Sequence, residues 1–166
     1  MRTLLLPTDF SDNANNALNY AVEIALLTRS SLHLLHVYTP VVSPKNQIHA
    51  LLTDEIHDAK QESLERLTVQ SNTIKTMYPA LQVVVKTEVG EPISEILSYA
   101  TEIKPDLIMM GTLGASNITR MLFGSNTASV VEKSNFPVLC IPAGCPYRLP
   151  GRILFATTFS FDDIKG

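Results

Sequence analysis

Long apolar runs, basic clusters and a cysteine framework are all missing from this chain of 166 residues. Its longest apolar stretches, such as Ala21 to Leu27, are short and broken by Glu23, far below the ~20 apolar residues that a bilayer requires. No membrane partner is expected. The first residues offer three leucines before Pro7, without the apolar core or the small-residue cleavage site of an export signal. Thirteen Lys plus Arg against sixteen Asp plus Glu leave a net charge of −3. With no basic run to neutralise a phosphate backbone, nucleic acid is not expected as a partner either. Two cysteines, Cys140 in an apolar run and Cys145 in a turn-rich stretch, support neither a disulfide framework nor a zinc site, and a reduced, cytoplasmic protein is expected. What is present is a globular balance of 45% hydrophobic and 17% charged residues, enough for one domain and a small surplus.

Five apolar runs, at Thr3–Leu6, Leu32–Val37, Val83–Val85, Leu107–Met110 and Val138–Ile141, read as short strands. Their hydrophobicity is nearly continuous, which predicts a sheet covered on both faces. Between them the period changes to that of a helix. Ala14, Ala17, Leu18, Ala21, Val22 and Ala25 form one stripe with Ser11 as its cap, and Ile56, Ala59, Ser63, Leu67 and Ile74 form a second, with Thr53 or Asp54 near its start. A third runs over Ile93, Ile96, Leu97, Ala100 and Ile103, opened by Pro92, and a fourth from about Ser125 to Lys133. Strict alternation of strand and helix predicts a doubly wound α/β domain with a parallel sheet and helices on both faces. Such sheets bind ligands at the carboxyl ends of their strands, which directs attention to the residues after strands one, two and four.

The domain is expected to end near Pro142. Residues 143–151 have the proline and glycine content of a linker, and residues 152–166 echo the start of the chain. Aligning Phe159-Ser160 with Phe10-Ser11 sets Ile153–Phe155 opposite Leu4–Leu6, and Thr158 opposite Asp9. The echo reads as the first strand of a truncated second repeat, expected to pair with a sheet edge; a chance apolar strand is the alternative.

Of seven glycines, Gly111, Gly114 and Gly124 fall within fourteen residues directly after the fourth strand, in the spacing G-x2-G-x9-G-S completed by Ser125. Such a segment can wrap a ligand with its amides exposed. At the start of the fourth helix, free amides and the helix dipole form an anion site, with hydroxyls of Ser125 and Thr127 beside it. Glycines that merely turn a surface connection remain the competing reading. Arg120 is the basic residue within this loop and could reach phosphate, or be a surface charge. Asp9, at the same sheet edge, can accept from a ribose hydroxyl or an adenine amine, or simply start the turn into helix one.

Together, Thr8-Asp9-Phe10-Ser11, His36-Val37, Met110-Gly111-Thr112-Leu113-Gly114 through Gly124-Ser125, and Pro137-Val138-Leu139 resemble the universal stress protein family over residues 1–142. The glycine spacing is similar to that of the family's ATP-binding branch. The resemblance implies a five-stranded parallel sheet in the order 3-2-1-4-5, ATP held with magnesium, and a dimer or tandem pairing through the strand-five edge. It implies Pro7 and Asp9 at the adenosine end, the Val37 backbone at adenine, Met110, Gly111 and Gly114 along the ribose and phosphate path, and Gly124, Ser125, Asn126 and Thr127 at the phosphates. Magnesium would be carried by the phosphates, with Ser125 or Thr127 beside it. Asn126 departs from the small apolar residue usual in the family, and Leu113 from the polar residue often found between the first two glycines.

His33 and His36 lie three apart on one strand and face opposite ways, and His49 and His57 fall on the solvated start of helix two, so no metal site is expected of them. A GxxxxGK[ST] loop, a GxSxG elbow, HExxH, HxGH and SGGxDS are all missing. Three functions stay open at this point: a nucleotide-responsive stress or regulatory protein that presents a surface to a partner or client, a slow ATPase or nucleotidyl-transfer enzyme using the same pocket, and an interaction module with an empty pocket.

Overall fold

The computed structural model describes residues 2–40, 49–112 and 124–154, with side chains of the second stretch described from Ile56 onward. Strands β1 (Thr3–Pro7), β2 (Ser31–Tyr38), β3 (Val83–Val89), β4 (Leu107–Gly111) and β5 (Val138–Ile141) alternate with helices α1 (Asp12–Thr28), α2 (His49–Met77), α3 (Pro92–Ile103) and α4 (Ser125–Lys133). The strands form one parallel sheet in the order β3-β2-β1-β4-β5. This is the doubly wound architecture expected from the alternating pattern.

The continuous apolar runs have a direct cause in the two covered faces. Leu4 and Leu6 of β1, Leu32 and Leu34 of β2 and Met109 of β4 pack with α1 and α2, whereas Leu5, Leu35, Ile108 and Met110 pack against α3 and α4. Successive strand residues point to opposite faces, so burying both faces demands hydrophobic residues at every position.

Each helix boundary follows from local chemistry. The Ser11 hydroxyl accepts from the Ala14 amide at 3.2 Å, and Arg29 closes α1 in a left-handed conformation with its N–H on the Ala25 carbonyl. At α3, Glu91 caps the helix by accepting from the amides of Ile93 and Ser94 at 3.1 and 2.7 Å, and Pro92 follows in the first turn. Helix α2 begins at His49, several residues before Thr53. Nothing between His49 and Leu52 breaks a helix, and extending a formed helix is far easier than nucleating one.

The sheet opens where a site is needed. β1 stays in register with β2 out to Pro7↔Leu35, but its ladder with β4 joins only Leu4 to Leu107 and Leu5 to Ile108. The Thr8 N–H donates to the Leu35 carbonyl on the β2 side, so by alternation the Pro7 nitrogen faces β4, and proline has no N–H to donate there. At the other end of this pair, the Asp106 carboxylate accepts from the amides of Arg2 and Thr3 at 2.6 and 2.9 Å. Those bonds, the Arg2 amide foremost, hold the Asp106 carboxyl below its usual pKa. β1 and β4 are thus pinned at their amino ends and separate at their carboxyl ends.

Residues 142–148 lie against α1. The Asn16 side-chain amide donates to the Pro142 carbonyl at 3.1 Å, the Tyr20 hydroxyl donates to the Arg148 carbonyl at 3.4 Å, and Tyr147 meets Tyr20 edge-on. Beyond this strap, Arg152–Leu154 form no strand, and Ile153 and Leu154 are 88% and 93% exposed. The sheet pairing expected of the C-terminal echo is not seen in this described part, and residues 155–166, Thr158 among them, lie outside the described residues.

Candidate functional site

A cavity of about 290 Å³ opens at the carboxyl edge of the sheet, over the gap between β1 and β4. This is close to the smaller end of ligand-site volumes. It is lined by Pro7, Thr8 and Asp9 after β1, Ala14 of α1, Leu35, His36 and Val37 of β2, Met110 and Gly111 of β4, Gly124 through Thr127 at the start of α4, and Pro92 and Ile96 of α3. Nine of the candidate positions therefore converge on one space: Pro7, Asp9, Val37, Met110, Gly111, Gly124, Ser125, Asn126 and Thr127. Gly114, together with Leu113 and Arg120, lies outside the described residues.

Six lining residues were not assigned to the site from the sequence: Thr8, Ala14, Leu35, His36, Pro92 and Ile96. Pro92 and Ile96 come from α3, which follows β3 at the far end of the sheet and crosses back to reach β4. Their turn is tied to β2, because the Gly90 amide donates to the Tyr38 carbonyl at 2.9 Å and the Thr39 hydroxyl donates to the Gly90 carbonyl at 3.1 Å.

Where it lines the cavity, α4 differs from α1 and α3 in how it begins. Ser11 and Glu91 cap α1 and α3, whereas Gly124 occupies the cap of α4 with no side-chain hydrogen bond. The Gly124 amide is spent on the Thr112 carbonyl, and the first intrahelical bond runs from Ala128 to the Gly124 carbonyl at 3.0 Å. Among the described residues the backbone amides of Ser125, Asn126 and Thr127, the remaining first-turn donors, have no backbone acceptor, and they sit at the positive end of the helix dipole. Glu91, by contrast, fills the start of α3 with its own carboxylate, whose pKa is lowered first by the Ser94 amide.

The two hydroxyls expected at this end are not equivalent. Thr127 is buried and its Oγ1 donates to the Gly111 carbonyl at 2.8 Å, tying α4 to the end of β4. Its proton is committed to the fold. Ser125 is exposed at the helix start.

The opposite end is built by the turn after β1. The His36 Nδ1 meets the Thr8 carbonyl at 2.8 Å; a carbonyl only accepts, so Nδ1 carries the proton. The Asp9 carboxylate accepts from the Ser11 amide at 3.0 Å, and Thr8 Oγ1 accepts from the Phe10 amide at 3.1 Å. Phe10 sits at φ 61°, a left-handed conformation costing an aromatic residue roughly 1–2 kcal/mol. His33 points to the other face, where its Nδ1 meets the Tyr99 hydroxyl at 2.9 Å, and burial lowers its pKa. Among the described residues no group of three or more His, Cys, Asp or Glu side chains is placed to hold a metal ion.

A parallel doubly wound sheet with a cavity at its β1/β4 opening, lined there by the start of a helix whose Gly124 cap offers no side chain, is an α/β domain with the geometry of a small-ligand site. The chain belongs to the universal stress protein family, whose model matches residues 1–142. A universal stress protein of Methanocaldococcus jannaschii is 32% identical over 152 residues, covering 84% of this chain and 94% of the relative. The solved structure of the universal stress protein UspA from Lactobacillus plantarum superposes with a TM-score of 0.75 at 27% identity, covering 84% of this chain and 97% of that one. A universal stress protein crystallised in complex with cAMP matches with a TM-score of 0.59 at 26% identity, covering 86% of this chain and 97% of that one.

Proposed function

We propose that this protein binds ATP with magnesium in the β1/β4 cavity and acts as a nucleotide-responsive stress or regulatory protein. The observation that carries this reading is that the start of α4, whose first-turn amides have no backbone acceptor among the described residues, lines the same cavity as Asp9 and Val37. Asp9 accepts from the sugar or base, the Val37 backbone meets adenine, and Pro7 shapes that end. Met110, Gly111 and Gly114 border the ribose and phosphate path. The amides of Ser125, Asn126 and Thr127 with Gly124 hold the phosphates, which Asn126 serves through its backbone whatever its side chain. The Ser125 hydroxyl is the one suited to a phosphate-borne magnesium ion, since it is exposed whereas Thr127 is buried against the end of β4. A relative crystallised with cAMP supports an adenine nucleotide as the ligand class.

The bound state would be read by a partner or client protein in the cytoplasm. β5 pairs with β4 on one side only among the described residues, and Val138, Leu139 and Cys140 are half-buried there, which suits pairing with a second copy or a tandem repeat. Residues 143–151 would then serve as the linker, and residues 152–166 as the opening strand of that second repeat. Its site would carry Thr158 in place of Asp9 and hold ATP less tightly. No helix among the described residues is long and apolar enough to cross a membrane.

The reading is tested by denaturing the purified protein, identifying any released nucleotide by mass spectrometry, and titrating the emptied protein with ATP and magnesium by calorimetry. Co-purified or saturably bound ATP is the expected result; a flat titration with no released nucleotide would contradict it. Following the bound ATP over time separates a binding protein, in which it persists, from a slow ATPase, in which ADP accumulates.

A further inference from the structure

We propose that Arg66 and Gln70 of α2 are positioning residues for the sugar-and-base end of the cavity, acting through Phe10. This inference rests on the nucleotide reading above and concerns two residues that do not line the cavity. Two groups hold the Phe10 ring: His36 lies against it at a 40° tilt with centroids 4.6 Å apart, and the Arg66 guanidinium lies 3.9 Å from the ring centroid. Its carbonyl accepts from the Asn15 side-chain amide at 3.5 Å, and the Asn15 carbonyl oxygen accepts in turn from the Gln70 amide at 2.9 Å. Arg66 and Gln70 are one helical turn apart, so a single face of α2 holds both the ring and, through Asn15, the backbone of Phe10.

What this clamp maintains is the left-handed backbone at Phe10, which an aromatic side chain would otherwise leave for negative φ. Residues on either side carry the ligand-facing groups. Asp9 precedes Phe10, the Thr8 hydroxyl accepts from the Phe10 amide, and the Asp9 carboxylate accepts from the Ser11 amide. If Phe10 relaxed, its rotation would swing the Asp9 carboxylate away from the cavity and break both bonds. Gln70 also bears an energetic penalty, since its Oε1 is buried without a hydrogen-bond partner among the described residues. An amide kept under that penalty has to do something an aliphatic side chain cannot, and here it orients Asn15.

The test compares wild type with the Arg66→Met/Gln70→Leu double variant and with Arg66→Lys, using ATP, adenosine and inorganic tripolyphosphate as separate probes. The double variant is expected to lose about tenfold in affinity for both ATP and adenosine and nothing for tripolyphosphate, because only the sugar-and-base end is disturbed. Arg66→Lys keeps a cation over the ring without the planar stack, and its affinity should fall between the double variant and wild type. In the ligand-free protein, amide exchange at Phe10 and Ser11 should accelerate in the double variant while Leu5 and Leu6 keep their protection. Equal losses for all three probes, or unchanged exchange at Phe10 and Ser11, would overturn the proposal. Should wild type bind neither ATP nor adenosine, the nucleotide reading fails, and the exchange measurement still decides whether α2 holds the Asp9 turn.

Discussion

Gly124→Asp is expected to weaken nucleotide binding severely while leaving the fold as stable as before or slightly more so. Gly124 has the extended conformation of an ordinary helix cap, φ −64° and ψ 153°, which any residue can adopt. An aspartate there would accept from the first-turn amides of α4 and add a negative charge at the positive end of the dipole, a gain of a few tenths to about 1 kcal/mol. The same carboxylate would occupy the donors assigned to the phosphates and repel the ligand. Like charges brought together at a binding site cost several kcal/mol, so affinity for ATP should fall on the order of a hundredfold or more. Gly124→Asn, which caps without a charge, should lose much less. Calorimetric titration together with thermal melting reads both halves of this prediction. A Gly124→Asp variant that binds ATP normally would remove α4 from the site.

Gly111→Ala should damage stability and binding together. A methyl group at Gly111 would overlap the side-chain amide nitrogen of Asn13 and come within 3.0 Å of the Asn13 backbone oxygen. The side chain could turn aside, but the carbonyl belongs to the first turn of α1 and cannot. Overpacking of this kind costs roughly 1–3 kcal/mol, a fall in melting temperature of about 2–4 °C for each kcal/mol in a domain of this size. The Gly111 carbonyl also receives the Thr127 hydroxyl, so a shift in β4 passes directly into α4 and its free amides. An affinity loss of about tenfold or more is expected alongside the lower melting point. Gly151→Ala provides the control, since no atom of the described residues lies within 4 Å of the added methyl, and it should change stability by less than about 0.5 kcal/mol. A Gly111→Ala protein that melts and binds like wild type would show that the close approach of α1 to β4 does not shape the cavity.

Much of the fold was legible because its signals are local. Unbroken apolar runs report burial on both faces, and Ser11 and Pro92 mark helix starts. The convergence of Pro7, Asp9, Val37, Met110, Gly111 and the Gly124–Thr127 segment on one cavity follows from the doubly wound topology, which gathers strand ends at one edge.

The features that sequence reasoning missed depend on distant partners. Pro92 and Ile96 reach the cavity only because α3 crosses from β3 to β4, and proximity along the chain gives no hint of that. The Thr127 hydroxyl looked available for a ligand because its acceptor, Gly111, lies sixteen residues away. Arg66 reads as one more charge on an exposed helix face until the turn after β1 brings Phe10 beneath it. One signal was present but unused. Pro7 at the end of an apolar strand in the centre of the sheet marks where the β1/β4 ladder must stop, and so where the cavity opens.

The most direct test of the central claim is to follow the backbone amides of the ligand-free protein by NMR while ATP and magnesium are added. Saturable shifts are expected, concentrated at Ser125, Asn126 and Thr127, with a second group at Thr8, Asp9, Val37 and Gly111, all following one binding curve. Shifts confined to the groove between α1 and the 142–148 strap, or no saturable shift at the α4 amides, would contradict it.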